Sequence, residues 1–303
     1  MPPSIPEPRE SGYTTSTPVP LYWARYGPAD ARTLLVLHGG PGAHHDYLLP
    51  QWLELTDQYQ LLFYDQRGGG RSRTDDPRPI TWRTQVNDLI KVVTEFDLQP
   101  LSIAGYSWGG VLALLHALDA AHDPARIRHP ERLLLVSPGP ISRQYREEFE
   151  AEMLRRQQSP ELVELRAELA ASGLRESDPD AYRQRAFEVS VAAYFADPRQ
   201  ARNLTPFRVT GKVQKSVWDS LEHYNLAPDL DTIRCPSMLI HGRQDPIPIQ
   251  SSETAAAQLG SRFIVIPECG HVPYVEKPER MFAAARTFLA ETDSLLARRG
   301  LHG

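Results

Sequence analysis

The sequence predicts an α/β fold with a mostly parallel central sheet flanked by helices. Six short apolar runs, β-branched or leucine-rich, alternate along the chain with helical patterns; they are residues 33–37, 61–64, 101–104, 133–136, 238–240 and 263–266. Continuous apolar runs of this length are typical of strands buried on both faces, which occur in parallel sheets covered by helices.

Helical patterns follow the second and third apolar runs. Residues 81–96 carry apolar side chains at spacings of three and four residues: Val86, Leu89, Ile90, Val93 and Phe96. A single apolar stripe of this kind is typical of a crossover helix that packs on a sheet. A second helical pattern, residues 111–121, begins a few residues after the third run.

A long segment without strand patterns separates the fourth and fifth runs. From about residue 141 to 227 the chain is charged and rich in arginine and glutamate. Helix starts and stops are recognisable in it, with an N-cap signal at residues 159–161 and ends at Gly173 and at residues 197–198. We therefore predict a core in two parts, residues 1–139 and 230–303, with a helical cap inserted at residues 140–229.

Composition excludes several classes of partner. The 303 residues carry a net charge of -5 and are 41% hydrophobic, with no basic stripe for nucleic acid and no apolar run long enough to cross a membrane. Residues 1–9 lack the features of a secretory signal, so a cytoplasmic location is predicted. Cys235 and Cys269 are interpreted as free, buried thiols. The adjacent His44 and His45 lack the spacing of a metal site, so no metal is predicted.

Residues 105–109, Gly-Tyr-Ser-Trp-Gly, lie between the third apolar run and the helix that follows. A serine hydroxyl attacks a carbonyl only when it is exposed to both substrate and base, and a strained turn from strand into helix exposes it in this way. Glycines on both sides let two backbones pass where a Cβ atom would clash. The pattern predicts a nucleophile elbow, with Ser107 as the nucleophile.

Two later residues are candidates for the acid and base that a nucleophilic serine needs. On such a site the order along the chain is Ser, then Asp or Glu, then His. Asp245 follows the run at 238–240, and His271 follows the run at 263–266. The competing interpretations are an aspartate that caps a turn before proline and a loop histidine satisfied by the backbone. We expect Asp245 to orient His271, which acts as general base and then as general acid.

Attack on a carbonyl builds negative charge on its oxygen, so backbone N–H donors must already point at that position. One donor is expected to be Trp108 N–H, and the second Gly40 N–H in the glycine-rich loop at residues 38–42. Pro41 is a candidate for a cis peptide bond. The loop lacks the glycine spacing and the following lysine of phosphate-binding loops, so no cofactor is predicted.

With these motifs the chain resembles the α/β-hydrolase superfamily and, within it, the proline iminopeptidase group of serine peptidases. Four segments carry the resemblance in the family's order: residues 38–42 (HGGPG), 65–72 (DQRGGGRS), 106–110 (YSWGG) and 270–276 (GHVPYVE). The resemblance covers the divided core more clearly than the cap. It implies an α/β-hydrolase fold and a serine peptidase activity.

The resemblance also implies an acidic cap residue, because these peptidases hold the free amino terminus of their substrate with carboxylates, and a buried ammonium without a partner is costly. Val191 stands where we expect the family's glutamate. Glu188, one helical turn earlier, is the candidate substitute, although a solvent-exposed helix glutamate is the competing interpretation. Tyr106, Tyr194 and Phe195 are further candidate substrate-binding residues.

Three functions are considered. The first is an aminopeptidase that removes an N-terminal residue, preferably proline, from a short peptide through an acyl-enzyme on Ser107. The second is a carboxylesterase acting on a small molecule, with an apolar pocket lined by aromatic residues: Tyr106, Trp108, Tyr194, Phe195, Phe207 and Trp218. The third, a non-catalytic binding protein on the same fold, is disfavoured because all the catalytic candidates are intact. The sequence carries no signal for an oligomeric state.

Overall fold

An eight-stranded sheet forms the centre of the protein. The structure is a computed structural model, which describes the backbone of residues 4–300 and the side chains of residues 4–294. The strands are β1 (Glu10–Tyr13), β2 (Tyr22–Tyr26), β3 (Arg32–Leu37), β4 (Tyr59–Tyr64), β5 (Ser102–Tyr106), β6 (Arg132–Val136), β7 (Ser237–Gly242) and β8 (Arg262–Ile266). Their order in the sheet is β1-β2-β4-β3-β5-β6-β7-β8.

Strands β3 to β8 run parallel, and the antiparallel pair β1 and β2 extends one edge. Every residue of β4, β5, β6 and β7 is buried, as expected for strands covered on both faces. The six apolar runs correspond to β3 to β8, which confirms the predicted α/β fold with a mostly parallel sheet.

Ten α-helices are present among the described residues: α1 (Trp82–Glu95), α2 (Trp108–His122), α3 (Arg143–Gln157), α4 (Pro160–Ala171), α5 (Leu174–Ser177), α6 (Pro179–Val191), α7 (Gly211–Asp219), α8 (Ile249–Leu259), α9 (Pro273–Glu276) and α10 (Pro278–Gly300). Short 3-10 helices lie at His45–Leu48, Gln51–Leu55, Ala192–Tyr194, Pro198–Asn203 and Ala227–Thr232. The helix predicted at residues 81–96 is α1, whose first turn is capped by the Thr81 side chain. Within residues 4–300, no helix combines the length and the hydrophobicity needed to span a bilayer.

Between β6 and β7, a stretch that the structure describes in full, the chain forms helices α3 to α7 and no strand beyond one isolated bridge, Ser142 with Asn225. The two ends of this segment pair beside that bridge: Arg143 N–H donates to Tyr224 O at 2.8 Å, and Leu226 N–H donates to Ile141 O at 2.9 Å. The pairing holds the two ends of the segment together where it leaves and re-enters the core. It favours the predicted cap boundaries at residues 140 and 229, which stay a prediction. We call the segment the cap.

Both cysteines are free thiols, as predicted, with Cys269 buried and Cys235 only partly buried.

Candidate active site

Ser107 lies at the turn between β5 and α2, with a φ of 53° in the left-handed region that L residues rarely adopt. Close backbone packing makes the flanking glycines necessary. A Cβ on Gly105 would lie 2.5 Å from Gly109 O, and one on Gly109 would lie 2.1 Å from Leu37 O. The turn therefore has the geometry of the predicted nucleophile elbow, with Ser107 between the strand end and the first helical residue.

The structure brings Ser107, His271 and Asp245 into one chain of hydrogen bonds. His271 Nε2 lies 3.0 Å from Ser107 Oγ, and His271 Nδ1 lies 2.9 Å and 3.1 Å from the two oxygens of Asp245. Asp245 follows β7 and His271 follows β8, so both are carried by loops at the carboxyl edge of the sheet. With Nδ1 protonated toward Asp245, the ring presents Nε2 as an acceptor for the Ser107 hydroxyl.

Asp245 is an ionised carboxylate in a buried position. Burial raises its pKa, but the charge interactions with His271 and His241 and the hydrogen bonds from His271 and Ile247 outweigh burial and lower the pKa below its ordinary value. Ile247 N–H donates to Asp245 Oδ1 at 2.8 Å, and His241 Nε2 lies 3.8 Å from Oδ2. The carboxylate is thus fixed from several sides.

The loop that carries His271 is held by Glu276 and by the cap. The buried Glu276 carboxylate accepts hydrogen bonds from the N–H groups of Gly270, Val272 and, in the cap, Ala196. His271 N–H donates to Tyr194 O of the cap at 2.7 Å. Core and cap together therefore set the position of the imidazole.

Two further contacts join the cap to the other loops of the site. Arg156 of α3 donates to Gln244 O, next to Asp245, at 2.7 Å. Thr210 N–H, before α7, donates to Gly42 O at 2.9 Å.

Gly40 and Trp108 line the space beside Ser107, and neither backbone N–H has an acceptor among residues 4–300. The neighbouring Gly39 N–H is occupied, because it donates to Tyr47 Oη at 2.6 Å. The amide of Gly40 is therefore the available donor in this loop. The peptide bond before Pro41 is trans, which corrects the expectation of a cis bond there.

His38, the first residue of this loop, is a buried and neutral histidine. Its Nδ1 lies 2.9 Å from Gly39 O, and its Nε2 accepts a hydrogen bond from Gln66 N–H at 3.0 Å. Burial is the main cause that lowers its pKa to about 4. The ring links the loop to the end of β4 without adding a charge near Gly40.

A cavity of about 390 Å³ lies between core and cap, with Ser107 and His271 in its wall. Ten aromatic residues line it: Tyr47, Tyr106, Trp108, Phe149, Phe187, Tyr194, Phe195, Phe207, Trp218 and Tyr274. In the part of the chain that the structure describes, no Asp, Glu, Lys or Arg side chain is among the lining residues. The cavity thus suits an uncharged, apolar group.

A family model described as "Alpha/beta hydrolase family" matches residues 34–285. The chain belongs to the alpha/beta hydrolase family. The match includes the turn at Ser107, the loop at residues 38–42, Asp245 and His271, so the motif resemblance agrees with the fold.

Individual relatives of this hydrolase include peptidases and esterases. A proline iminopeptidase of Lactobacillus crispatus (strain ST1) is 26% identical over 274 residues, which is 86% of this chain and 90% of the relative. Among solved structures, proline iminopeptidase from Mycobacterium smegmatis superposes with a TM-score of 0.68 at 21% identity, covering 95% of this chain and 100% of that one. A thermophilic esterase from Thermogutta terrifontis superposes with a TM-score of 0.61 at 24% identity, covering 93% and 99%. The predicted resemblance to proline iminopeptidases is confirmed, and the structural likenesses establish the fold.

Three of the four candidate substrate-binding residues of the hydrolase line the cavity. Tyr106 also donates from its hydroxyl to His271 O at 3.1 Å, and the rings of Tyr194 and His271 lie 5.4 Å apart. Phe195 is buried in the same wall.

Glu188 does not line the cavity, which corrects its assignment as a substrate-binding residue. Its neighbours Phe187, Ser190 and Val191 do line the cavity, but the carboxylate of Glu188 accepts hydrogen bonds from Gln184 at 3.0 Å and Arg185 at 2.7 Å. The side chain is also not the exposed glutamate of the competing interpretation, because it is buried. Its charge is neutralised within the cap.

Sequence reasoning missed several residues of the site. His241 was not among the predicted site residues, yet its Nε2 lies 3.8 Å from Asp245 Oδ2 and its Nδ1 lies 2.9 Å from Ser252 Oγ. Its spacing, four residues before Asp245 at the end of β7, was the available signal. Phe149 and Phe187 gave no signal, since aromatic residues on a helix are equally typical of packing.

Among the described residues, no cluster of His, Cys, Asp or Glu is arranged to hold a metal ion.

Proposed function

We propose that the protein is a serine hydrolase that cleaves carboxylic esters through an acyl-enzyme on Ser107, and that the part of the acyl group next to the carbonyl is apolar. One observation carries the proposal: the hydrogen-bonded series Ser107, His271 and Asp245 faces a cavity lined by aromatic residues and free of charged side chains among those described. The series supplies a nucleophile and a base, and the cavity supplies the preference for the acyl group.

In the proposed reaction His271 Nε2 takes the proton of Ser107 as Oγ bonds to the ester carbonyl carbon. The N–H groups of Gly40 and Trp108 stabilise the oxyanion of the tetrahedral intermediate. The intermediate collapses as the carbon–oxygen bond to the alcohol breaks and His271 returns the proton to the departing oxygen. Water, deprotonated by His271, then attacks the acyl-enzyme, the bond between the acyl carbon and Oγ breaks, and His271 returns the proton to Ser107 as the acid is released.

The lining of the cavity argues against a substrate with a free amino terminus. An ammonium group transferred into an apolar site without a partner loses its hydration and gains no compensating charge. Val191, where the family resemblance leads us to expect a glutamate, presents an apolar side chain to the cavity. The carboxylate of Glu188 is already paired with Arg185.

An aminopeptidase of the proline iminopeptidase type is the second candidate. The similarity to the Lactobacillus crispatus enzyme over 86% of this chain favours it. It requires the substrate's amino group to bind as the neutral amine or to find a polar partner such as Ser190 or Gln214, both of which line the cavity.

Ser107→Ala tests the mechanism that both candidates share. We expect kcat for p-nitrophenyl butyrate to fall by roughly 10⁴- to 10⁶-fold, since the nucleophile is removed. The matched control is Ser11→Ala, an exposed serine on the edge strand β1. Unchanged activity of Ser107→Ala, with an unchanged circular dichroism spectrum, would overturn the proposal.

A comparison of three substrates separates the two candidates: p-nitrophenyl butyrate, prolyl-naphthylamide and alanyl-naphthylamide. The proposed esterase cleaves the butyrate ester and turns over the two amides poorly. Preference for prolyl-naphthylamide would instead establish the aminopeptidase.

Val191→Glu, with Val191→Gln as its uncharged control of equal size, sharpens the test. If the missing carboxylate is what excludes an amino terminus, only the glutamate variant gains activity on prolyl-naphthylamide.

A further inference from the structure

A second cavity, of about 760 Å³, adjoins the active-site cavity at the boundary of core and cap. Three residues, Phe187, Phe207 and Val209, line both. The outer cavity is bounded by the loop after β4 on one side and by α6 and the segment before α7 on the other. We call this outer cavity the vestibule. Because these three residues line both cavities, the vestibule is the neighbouring space that a substrate longer than the inner cavity would reach.

The vestibule differs from the inner cavity in its charge. Four arginines and two aspartates line it: Arg71, Arg73, Arg183, Arg208, Asp46 and Asp180. The positive side chains therefore outnumber the negative ones at the mouth of a cavity whose own described lining is uncharged.

Two of the four arginines are paired. Arg71 forms two hydrogen bonds with the carboxylate of Asp46, at 2.9 Å and 2.8 Å, and Arg183 pairs with Asp180.

The other two, Arg73 and Arg208, form no ion pair and no side-chain hydrogen bond with the described residues. They come from opposite sides, Arg73 from the core loop and Arg208 from the cap. Two unneutralised guanidinium groups in one concave site attract an anion, and their planar donors suit carboxylate and phosphate oxygens.

We propose that the vestibule binds an anionic group, a carboxylate or a phosphate, at the end of a substrate whose ester carbonyl lies at Ser107. The preferred substrate then has an apolar middle, held among the aromatic residues, and a negatively charged end held by Arg73 and Arg208. The inference rests on the proposed function and adds the substrate class to it.

The test uses p-nitrophenyl esters of linear dicarboxylic acids of increasing chain length, each paired with the same ester capped as a methyl ester. A second series carries a terminal phosphate in place of the carboxylate. For each pair we measure the ratio of kcat/KM for the charged ester to that for the neutral one. We expect a ratio above one at the chain lengths that reach the vestibule, arising mainly from a lower KM. The series with the higher ratio identifies the anion.

The double variant Arg73→Gln/Arg208→Gln is expected to lower this ratio by roughly fivefold, the combined effect of two solvent-exposed charge pairs. The control is Arg175→Gln/Arg234→Gln, which removes the same charge from exposed positions that do not line the vestibule and leaves the ratio as in the unmodified protein. Raising the ionic strength from about 0.05 to 0.5 M should also lower the ratio, because salt screens exposed charges.

A ratio of one at every chain length in both series, or an equal fall in both double variants, would overturn the inference. Hydrolysis of p-nitrophenyl butyrate separates this failure from that of the proposed function. If the butyrate ester is cleaved through Ser107 and no ratio exceeds one, only the vestibule inference fails. If no ester is cleaved, the proposed function fails.

Discussion

Helices α2 and α3 are each 15 residues long, yet 12 residues of α2 are buried and none of α3 is. Helix α2 belongs to the core and begins directly after Ser107, whereas α3 begins the cap. The difference extends to the functional groups, since the hydrogen-bonded series at Ser107 lies on core loops while much of the aromatic cavity wall comes from the cap. We therefore expect the core to supply reactivity from tightly constrained positions and the cap to supply selectivity from more loosely packed ones.

The largest effect that this comparison predicts is on a core residue, Asp245→Asn. We expect kcat for p-nitrophenyl butyrate to fall by roughly 10⁴-fold, because an amide no longer fixes the His271 tautomer that accepts the serine proton. The measurement is steady-state kinetics, with Asp75→Asn, an exposed loop aspartate, as the control. A loss smaller than tenfold would mean that Asp245 does not orient His271.

A pair of glycine variants tests the packing constraint in the core and in the cap. A Cβ on Gly109 would lie 2.1 Å from Leu37 O, whereas a Cβ on Gly211, at the start of α7, has no neighbour within 4 Å. Gly109→Ala should therefore lower the free energy of unfolding by at least about 2 kcal/mol, and Gly211→Ala should leave it unchanged or raise it by up to about 1 kcal/mol. Urea unfolding measures both, and equal effects would remove the contrast between the two regions.

The pH dependence of stability should also come from the core. Burial is the main cause that lowers the pKa of His116 in α2 to about 4. Between pH 6.5 and pH 4, about the two pKa values, His116 is protonated in the unfolded chain but not in the folded chain. The free energy of unfolding therefore falls as the pH drops from about 6.5 to about 4.

His116→Gln should make the loss of unfolding free energy between pH 7 and pH 5 smaller by about 2 kcal/mol. The control is His223→Gln, an exposed histidine of the cap, which should leave the loss unchanged. An identical pH profile for His116→Gln and the unmodified protein would contradict the assignment of this sensitivity to the core.

The smallest predicted effect is on a cap residue of the cavity. Phe207 packs against Tyr47 with ring centroids 4.4 Å apart and against Phe187 at 5.5 Å. Phe207→Leu should change the ratio of kcat/KM between p-nitrophenyl esters of long and short acyl chains. The change should be less than about tenfold, because one pocket contact contributes only modestly to specificity. Leu154→Ala, at an exposed cap position, is the control. A collapse of kcat for all chain lengths would mean that the cap takes part in the chemistry itself.

The sequence predicted the parallel strands because each is a short, mostly apolar run, which is typical of strands buried on both faces. The pattern also holds for β8, although this edge strand is only partly buried. Strands β1 and β2 were not predicted: β2 reads Tyr-Trp-Ala-Arg-Tyr, which includes a charged residue, and β1 is mostly exposed. β1 is the edge strand of the sheet and β2 is its neighbour, and solvent near this edge relaxes the apolar pattern.

The positions of Ser107, Asp245, His271 and Gly40 could be predicted because backbone geometry restricts which residues fit at strand ends and tight turns. The cap could be predicted only as helices, since its aromatic residues have the same spacing whether they face a cavity or a core. The environment of Glu188 was beyond prediction, because the choice between Arg185 and a substrate ammonium depends on side-chain directions within α6. The charge of the vestibule could not be predicted either, because Arg73 and Arg208 are distant in the chain and only the fold brings them to the same cavity.

The hydrogen bonds from His271 to Tyr194 and from Ala196 to Glu276 have a consequence for turnover. A cap that lifts to exchange ligands must break both, and the imidazole then loses the support that aligns it with the serine. Any movement of the cap away from the core would therefore be coupled to the alignment of His271 with Ser107.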